Sequence, residues 1–164
     1  MRILVMSDSH GDLETVKTVS SQSGDAIFHC GDSELLFNDA IFGDMYKVRG
    51  NCDIDSSFPN EVLANVKGKT ILAVHGHEHN VNQSLMSLQY SAMEKHANIV
   101  LFGHTHLYGA EIIDGILFVN PGSTKQPRGG KKPTYAVVEW DETIRVTFKN
   151  MGREVVDSIE IKNV

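Results

Sequence analysis

Apolar residues along this chain come in short runs, and run after run ends at a glycine or at a polar side chain able to carry chemistry. Residues 2–6 form one such run, which stops in the polar loop Ser7, Asp8, Ser9, His10, Gly11. Leu13, Val16 and Val19 then recur at near-helical spacing, so the pattern predicts strand, loop and helix. Residues 26–30 and 45–48 are further strand candidates, each followed by a glycine and a polar side chain. Residues 70–74 repeat the arrangement and run into His75 and Gly76. Leu85, Met86, Leu88 and Met93 mark a second helix, and residues 99–102 a strand that ends at Gly103 and His104. Asp114 and Gly115 separate apolar segments 111–113 and 116–119 as the turn of a hairpin. Residues 135–140, 143–148 and 155–161 predict antiparallel β-structure. Strands and helices that alternate early, followed by hairpins, indicate an α/β fold, a four-layer α/β/β/α sandwich of two packed mixed β-sheets flanked by helices.

The chain has 164 residues and 41% hydrophobic content, enough for one core, and a single domain over residues 1–164 is expected. The loop 120–133 holds three prolines and three glycines, but it is short enough to belong to that domain. No apolar run approaches the ~20 residues of a membrane helix, and the first residues lack a signal-peptide pattern, so no membrane association and a cytoplasmic location are expected. Cys30 and Cys52 are too few for a disulfide framework and form no CxxC pair, which makes both free thiols.

A formal charge of −6 argues against capture of a nucleic-acid duplex, and the aromatic residues, Trp140 among them, do not interleave with basic ones as a base-stacking platform requires. Charge does not exclude a phosphorylated substrate, because bound divalent cations reverse the local sign.

The chemistry lies in where His, Asp and Asn fall. Asp8 and His10 follow the first strand, Asp32 the second, Asn51 the third, His75 the next, and His104 and His106 the last of the first half. Loops at the carboxyl ends of parallel strands share one edge of a sheet, so these seven side chains would converge. Either piece alone, a Gly-Asp after a strand or an HxH, is ordinary turn or surface chemistry. Five strand ends all carrying metal-competent groups are hard to obtain from turns, which supply Ser, Pro and Gly as readily as His. Carboxylate, amide and imidazole donors without thiolate suit manganese, nickel, zinc or iron better than calcium or magnesium.

In this order the motifs DSHG (8–11), GD (31–32), GN (50–51), HG (75–76) and GHTH (103–106) resemble the calcineurin-like metallophosphoesterase superfamily. GNCD (50–53), NPGS (120–123) and the chain length make the sequence most similar to its small YfcE-like phosphodiesterases. The resemblance implies two divalent metal ions, manganese first, with Asp8, His10 and His106 on one and Asn51, His75 and His104 on the other. Asp32 would bridge them, since a carboxylate can neutralise two cations ~3.5 to 4 Å apart. It also implies hydrolysis of a small phosphodiester by in-line attack of a hydroxide bridging the metals, with Asp32, Asn51, His75 and Cys52 at the reacting centre.

Cys52 departs from many members of the wider superfamily, where a His after this Asn stands near the leaving group. A thiol is a poorer proton donor, and filling space beside Asn51 is the competing role. His77 reads as a contact of a ligand or of substrate, His79 as a solvent residue, and His29 and His96 as structural. Asp12 and Asp53 either orient imidazoles or cap turns. Lys125, Arg128, Lys131 and Lys132 form the one basic cluster, either a solvated loop or a flap over the metal edge. The rivals are a phosphomonoesterase or nuclease with the same site, and a non-catalytic scaffold like the retromer subunit of this fold. Family members often form dimers or tetramers, which makes a homo-oligomer an open expectation, although nothing in the sequence specifies an interface.

Overall fold

The computed structural model describes residues 1–162, so the last two residues of the expected 1–164 domain lie outside the described residues. Its elements run β1 (Arg2–Met6), α1 (Leu13–Ser20), β2 (Ala26–His29), β3 (Tyr46–Lys47), β4 (Glu61–Val66), β5 (Lys69–Val74) and α2 (Met86–Glu94). They continue with β6 (Ile99–Leu101), β7 (Gly109–Ile113), β8 (Ile116–Asn120), β9 (Thr134–Trp140), β10 (Ile144–Asn150) and β11 (Val155–Ile161). One sheet has the order β11-β10-β9-β1-β2-β3 and the other β4-β5-β6-β8-β7. Both are mixed, because β1, β2 and β3 are parallel, as are β5, β6 and β8, while the remaining strands pair antiparallel.

The alternation of side chains along buried strands builds the layers. Ile3 and Val5 of β1 point between the sheets and pack with Phe28, Ala73, Leu101, Val119 and Val138. Leu4 and Met6 point the other way, onto Val16 and Val19 of α1. On the far side, Leu88 and Ala92 of α2 cover Leu72, Val74, Val100 and Phe118. Burying each large apolar side chain contributes roughly 1.5–3 kcal/mol, and all three clusters are contiguous, so the four expected layers are present. No helix of the described residues is long and apolar enough to cross a membrane.

Two elements differ from the sequence reading. The third strand shrinks to Tyr46 and Lys47, which pair only with Phe28 and His29. An unforeseen strand, β4, lies antiparallel to β5 at the sheet edge. The alternation of Val62, Ala64 and Val66 before the Lys67-Gly68 turn is its signal, weakened by an edge position that leaves alternate residues in water. In the first helix, Asp12 proves to be the N-cap, accepting from the Glu14 and Thr15 amides.

Candidate metal centre

Three glycines explain how the donors come together. A Cβ on Gly50 would collide with Asp32 Oδ1, one on Gly103 with Ser7 Oγ and Asp8 Oδ2, and one on Gly31 would stand 2.9 Å from Gly50 N. Each precedes a candidate ligand, so GD, GN and GH are packing requirements: only a residue without Cβ lets these loops approach. Asp8, His10, Asp32, His104 and His106 all adopt left-handed backbone, with φ of 54°, 43°, 56°, 71° and 61°. For residues with a Cβ this costs roughly 1–2 kcal/mol each, and clustering of such residues is a mark of functional sites.

Hydrogen bonds hold the strained loops. Asp8 N donates to Gly31 O at 3.0 Å and His10 N to Asp32 O at 2.9 Å. Ser123 Oγ, in the 120–123 segment, donates to Asp8 O at 2.7 Å, and His104 N donates to Asp8 Oδ2 at 3.0 Å, tying the two sheets together at their carboxyl edges. The buried Asp53 carboxylate accepts from Asp32 N (2.9 Å), Gly50 N (2.7 Å) and Glu34 N (2.8 Å). Asp53 therefore caps loops and orients no imidazole through these bonds.

Asp8 Oδ1 is the focus of the donor atoms. His75 Nε2 lies 2.9 Å from it, His106 Nε2 3.3 Å and His10 Nε2 4.0 Å. His10 Nε2 and His106 Nε2 are 3.4 Å apart, and His75 Nε2 is 3.3 Å from Asp32 Oδ2. Asp8, His10 and His106 form one group able to hold an ion, and Asp8, Asp32 and His75 a second. Two donors on one ion can be at most ~4.2 Å apart, twice an ion–ligand bond of ~2.1 Å, and every distance above meets that limit.

Proton placement strengthens the fit. His106 Nδ1 is 2.6 Å from the Gln126 carbonyl oxygen, and His10 Nδ1 is 2.5 Å from Glu34 Oε1. Both partners only accept, so in the neutral rings Nδ1 carries the proton and Nε2 presents a lone pair to Asp8. Two lone pairs facing a carboxylate and each other at 3.4 Å call for a cation among them. The donor set therefore fits divalent metals.

The other candidate residues lie at varying distance. The His104 ring is 5.0 Å from that of His75, centroid to centroid. Asn51 is exposed, with its amide 3.6 Å from Cys52 Sγ, and falls outside the donor contacts just described. Cys52 N donates to Asp32 Oδ1 at 2.8 Å, and Sγ joins a third potential group with His10 and Glu34. His77 Nδ1 lies 3.1 Å from His75 Nδ1, so it contacts a candidate ligand. His79 is not a solvent residue: it is half-buried and its Nδ1 is enclosed without a hydrogen-bond partner. His29 is structural, its Nδ1 accepting from Gly31 N and its Nε2 meeting Ser9 Oγ at 2.8 Å. His96 is exposed in the turn that ends α2. Of the basic loop, Lys125 pairs with Asp12 at 2.9 Å, and Gln126 and Arg128 bond His106 through their backbones, so this stretch does fold against the metal edge.

Sequence reasoning missed Glu34 and the Gln126 carbonyl. Glu34 carries no motif, and only its place two residues after Asp32 hinted at the site. Charges respond to the packing. Burial opposes ionisation of Asp8, but the hydrogen bonds that His106 and His75 donate when protonated at Nε2 outweigh it and hold the carboxyl well below the usual range. The same bond to Asp8 raises His106, whereas burial, then the His75 charge, lowers both His104 and His77.

The domain described as the calcineurin-like phosphoesterase superfamily domain matches residues 1–143. The probable metallophosphoesterase YsnB of Bacillus subtilis is 36% identical over 163 residues, covering 96% of either chain. A conserved uncharacterized protein of Streptococcus pneumoniae, a predicted phosphoesterase, superposes with a TM-score of 0.95 at 37% identity, over 99% of this chain and 97% of that one. YfcE, a phosphoesterase from E. coli, shares the fold with a TM-score of 0.71 at 19% identity, over 99% of this chain and 100% of its own.

Proposed function

The chain belongs to the calcineurin-like phosphoesterase superfamily, and from that premise we propose that it is a phosphodiesterase working with two divalent cations. The observation that carries this reading is the convergence of the His10, His75 and His106 Nε2 atoms on Asp8 Oδ1. Asp8, His10 and His106 would hold one ion, Asn51, His75 and His104 the other, and Asp32 would bridge, with Asp8 also within reach of the second group through His75. When bound, such a pair of ions lowers the pKa of water toward neutrality and neutralises charge on the phosphoryl oxygens. Manganese suits the nitrogen and oxygen donors, with nickel, zinc or iron as alternatives.

The chain's own residues set the rest. Glu34 and the Gln126 carbonyl keep the lone pairs of His10 and His106 aimed inward. His77, whose ring lies 5.2 Å from that of His75 and 6.1 Å from that of His104, is the residue we assign to hydrogen-bonding a phosphoryl oxygen. Lys125 is already engaged by Asp12, which leaves less free positive charge for the second negative charge of a monoester. All seven expected donor positions, Asp8, His10, Asp32, Asn51, His75, His104 and His106, hold ligand-competent residues, which favours the enzyme over a non-catalytic scaffold. Two free cysteines accord with a cytoplasmic enzyme.

Hydrolysis of p-nitrophenyl mono- and diesters with manganese, nickel, zinc, iron and magnesium added singly tests the proposal. It predicts metal-dependent turnover with the diester faster; a clear monoester preference under the best metal would move the reading to a phosphatase.

A further inference from the structure

Two loops leave the metal edge side by side, one after β2 and one after β3, and enclose a cavity of about 520 Å³. At its inner end stand Glu34 and Cys52, whose carboxylate and sulfur each lie within 4.8 Å of a His10 ring nitrogen. Its outer walls are Leu36 and Ile54, apolar side chains that are 69% and 94% exposed. The cleft is preformed: Glu34 N is fixed on Asp53 Oδ1 and Phe37 N on Asp55 Oδ2, each at 2.8 Å, so both loops are pinned to each other.

Apolar side chains held in water at the mouth of a reaction site are positioned to be covered by ligand. The cavity is larger than the roughly 150 Å³ that admits benzene, so it accommodates a substituted aromatic ring. The charged residues lining it, Glu34 and Asp55, are both acidic, and a second anionic group would be repelled there.

We infer that this cleft is the subsite for one ester group of the substrate, and that the group it selects is apolar, uncharged and of aryl size. The inference rests on the phosphodiesterase reading and adds to it the chemical class of one ester arm. Leu36 and Ile54 are then specificity-determining residues, contacting the ester group and leaving the ligands untouched.

The test uses the full chain loaded with manganese and measures, by calorimetry, the affinity of diphenyl phosphate and of dimethyl phosphate. Wild type should bind the diphenyl ester at least about tenfold more tightly, the scale of discrimination an apolar pocket gives. Leu36→Ser and Ile54→Ser, both exposed and so neutral for folding, should each weaken diphenyl phosphate by roughly fivefold and the double variant by roughly twentyfold. Dimethyl phosphate should stay within about twofold throughout, and on bis(p-nitrophenyl) phosphate KM should rise with kcat retained. Equal affinity of wild type for the two esters, or an unchanged diphenyl affinity in the double variant, would overturn the subsite. So would sedimentation showing that the variants convert an oligomer into monomers, because the apolar pair would then be a contact between copies. Diphenyl binding that responds to Leu36 and Ile54 without turnover of any diester would support the subsite and refute the phosphodiesterase reading instead.

Discussion

Asp53 offers the sharpest quantitative prediction, because one buried carboxylate closes three loop amides around the site. Asp53→Ala removes the acceptor of Asp32 N and Gly50 N, both buried, and of Glu34 N, which is partly exposed. A buried donor left without a partner costs roughly 1–3 kcal/mol, so two of them at about 2 each predict a loss near 4 kcal/mol, while the third can turn to water. For a chain of this size that corresponds to a fall in Tm of about 10 °C. Asp53→Asn keeps one oxygen for Asp32 and Gly50 but turns an amide NH2 toward Glu34 N, and should lose about 1–2 kcal/mol. Urea unfolding with chelator present isolates this effect from metal binding. The same variants should bind manganese more weakly, since Asp32 and Asn51 hang on the loops Asp53 ties. A stability of Asp53→Ala within about 1 kcal/mol of wild type, close to what an ordinary surface change produces, would refute the reasoning.

Three further outcomes follow from the site. Desolvation, then the nearby Asp32 carboxylate, pushes the Cys52 thiol up to about 11, so it stays protonated near neutrality. Cys52→Ala should reduce aryl and alkyl diester turnover in the same modest proportion if the thiol only fills space, and Cys52→His should selectively raise alkyl turnover, by up to ~10²; selective collapse on alkyl esters in Cys52→Ala would make the thiol the acid. The metal-induced rise in Tm should be smaller at pH 6 than at pH 8. His106 is raised above its ordinary value of 6.5, so the metal-free protein gains from its proton below that value and loses the gain as pH rises through the shifted one, where a cation takes the proton's place. An equal or larger rise at pH 6 would contradict this. Glu34→Gln, which can still bond His10 but without the charge, should weaken manganese binding about tenfold or more with little change in Tm under chelator.

The candidate ligand loops could be picked out because each is a local pattern, an apolar run followed by a donor beside a glycine. The fold followed from the same runs, since strands buried on both faces, such as β1, read as continuous apolar segments. What stayed hidden depends on contacts between distant positions. Glu34 meets His10 across 24 residues, and the Gln126 carbonyl meets His106 across 20, through loops whose courses no local periodicity sets. The edge strand β4 was missed because half its residues face water. His79 was misplaced because the short turn it occupies leaves its Nδ1 enclosed, which no local pattern in the sequence signals.

The central claim is that a pair of divalent cations, held by the groups around Asp8 and Asp32, performs phosphodiester hydrolysis. Chelator-stripped protein can be titrated with manganese while bound metal per chain and bis(p-nitrophenyl) phosphate hydrolysis are followed in the same samples. The account predicts no turnover without metal, a rate that climbs as the second equivalent binds, and loss of both metal and rate in Asp32→Ala. Turnover that persists after stripping, or an Asp32→Ala variant that keeps two tightly bound ions and wild-type rate, would contradict it.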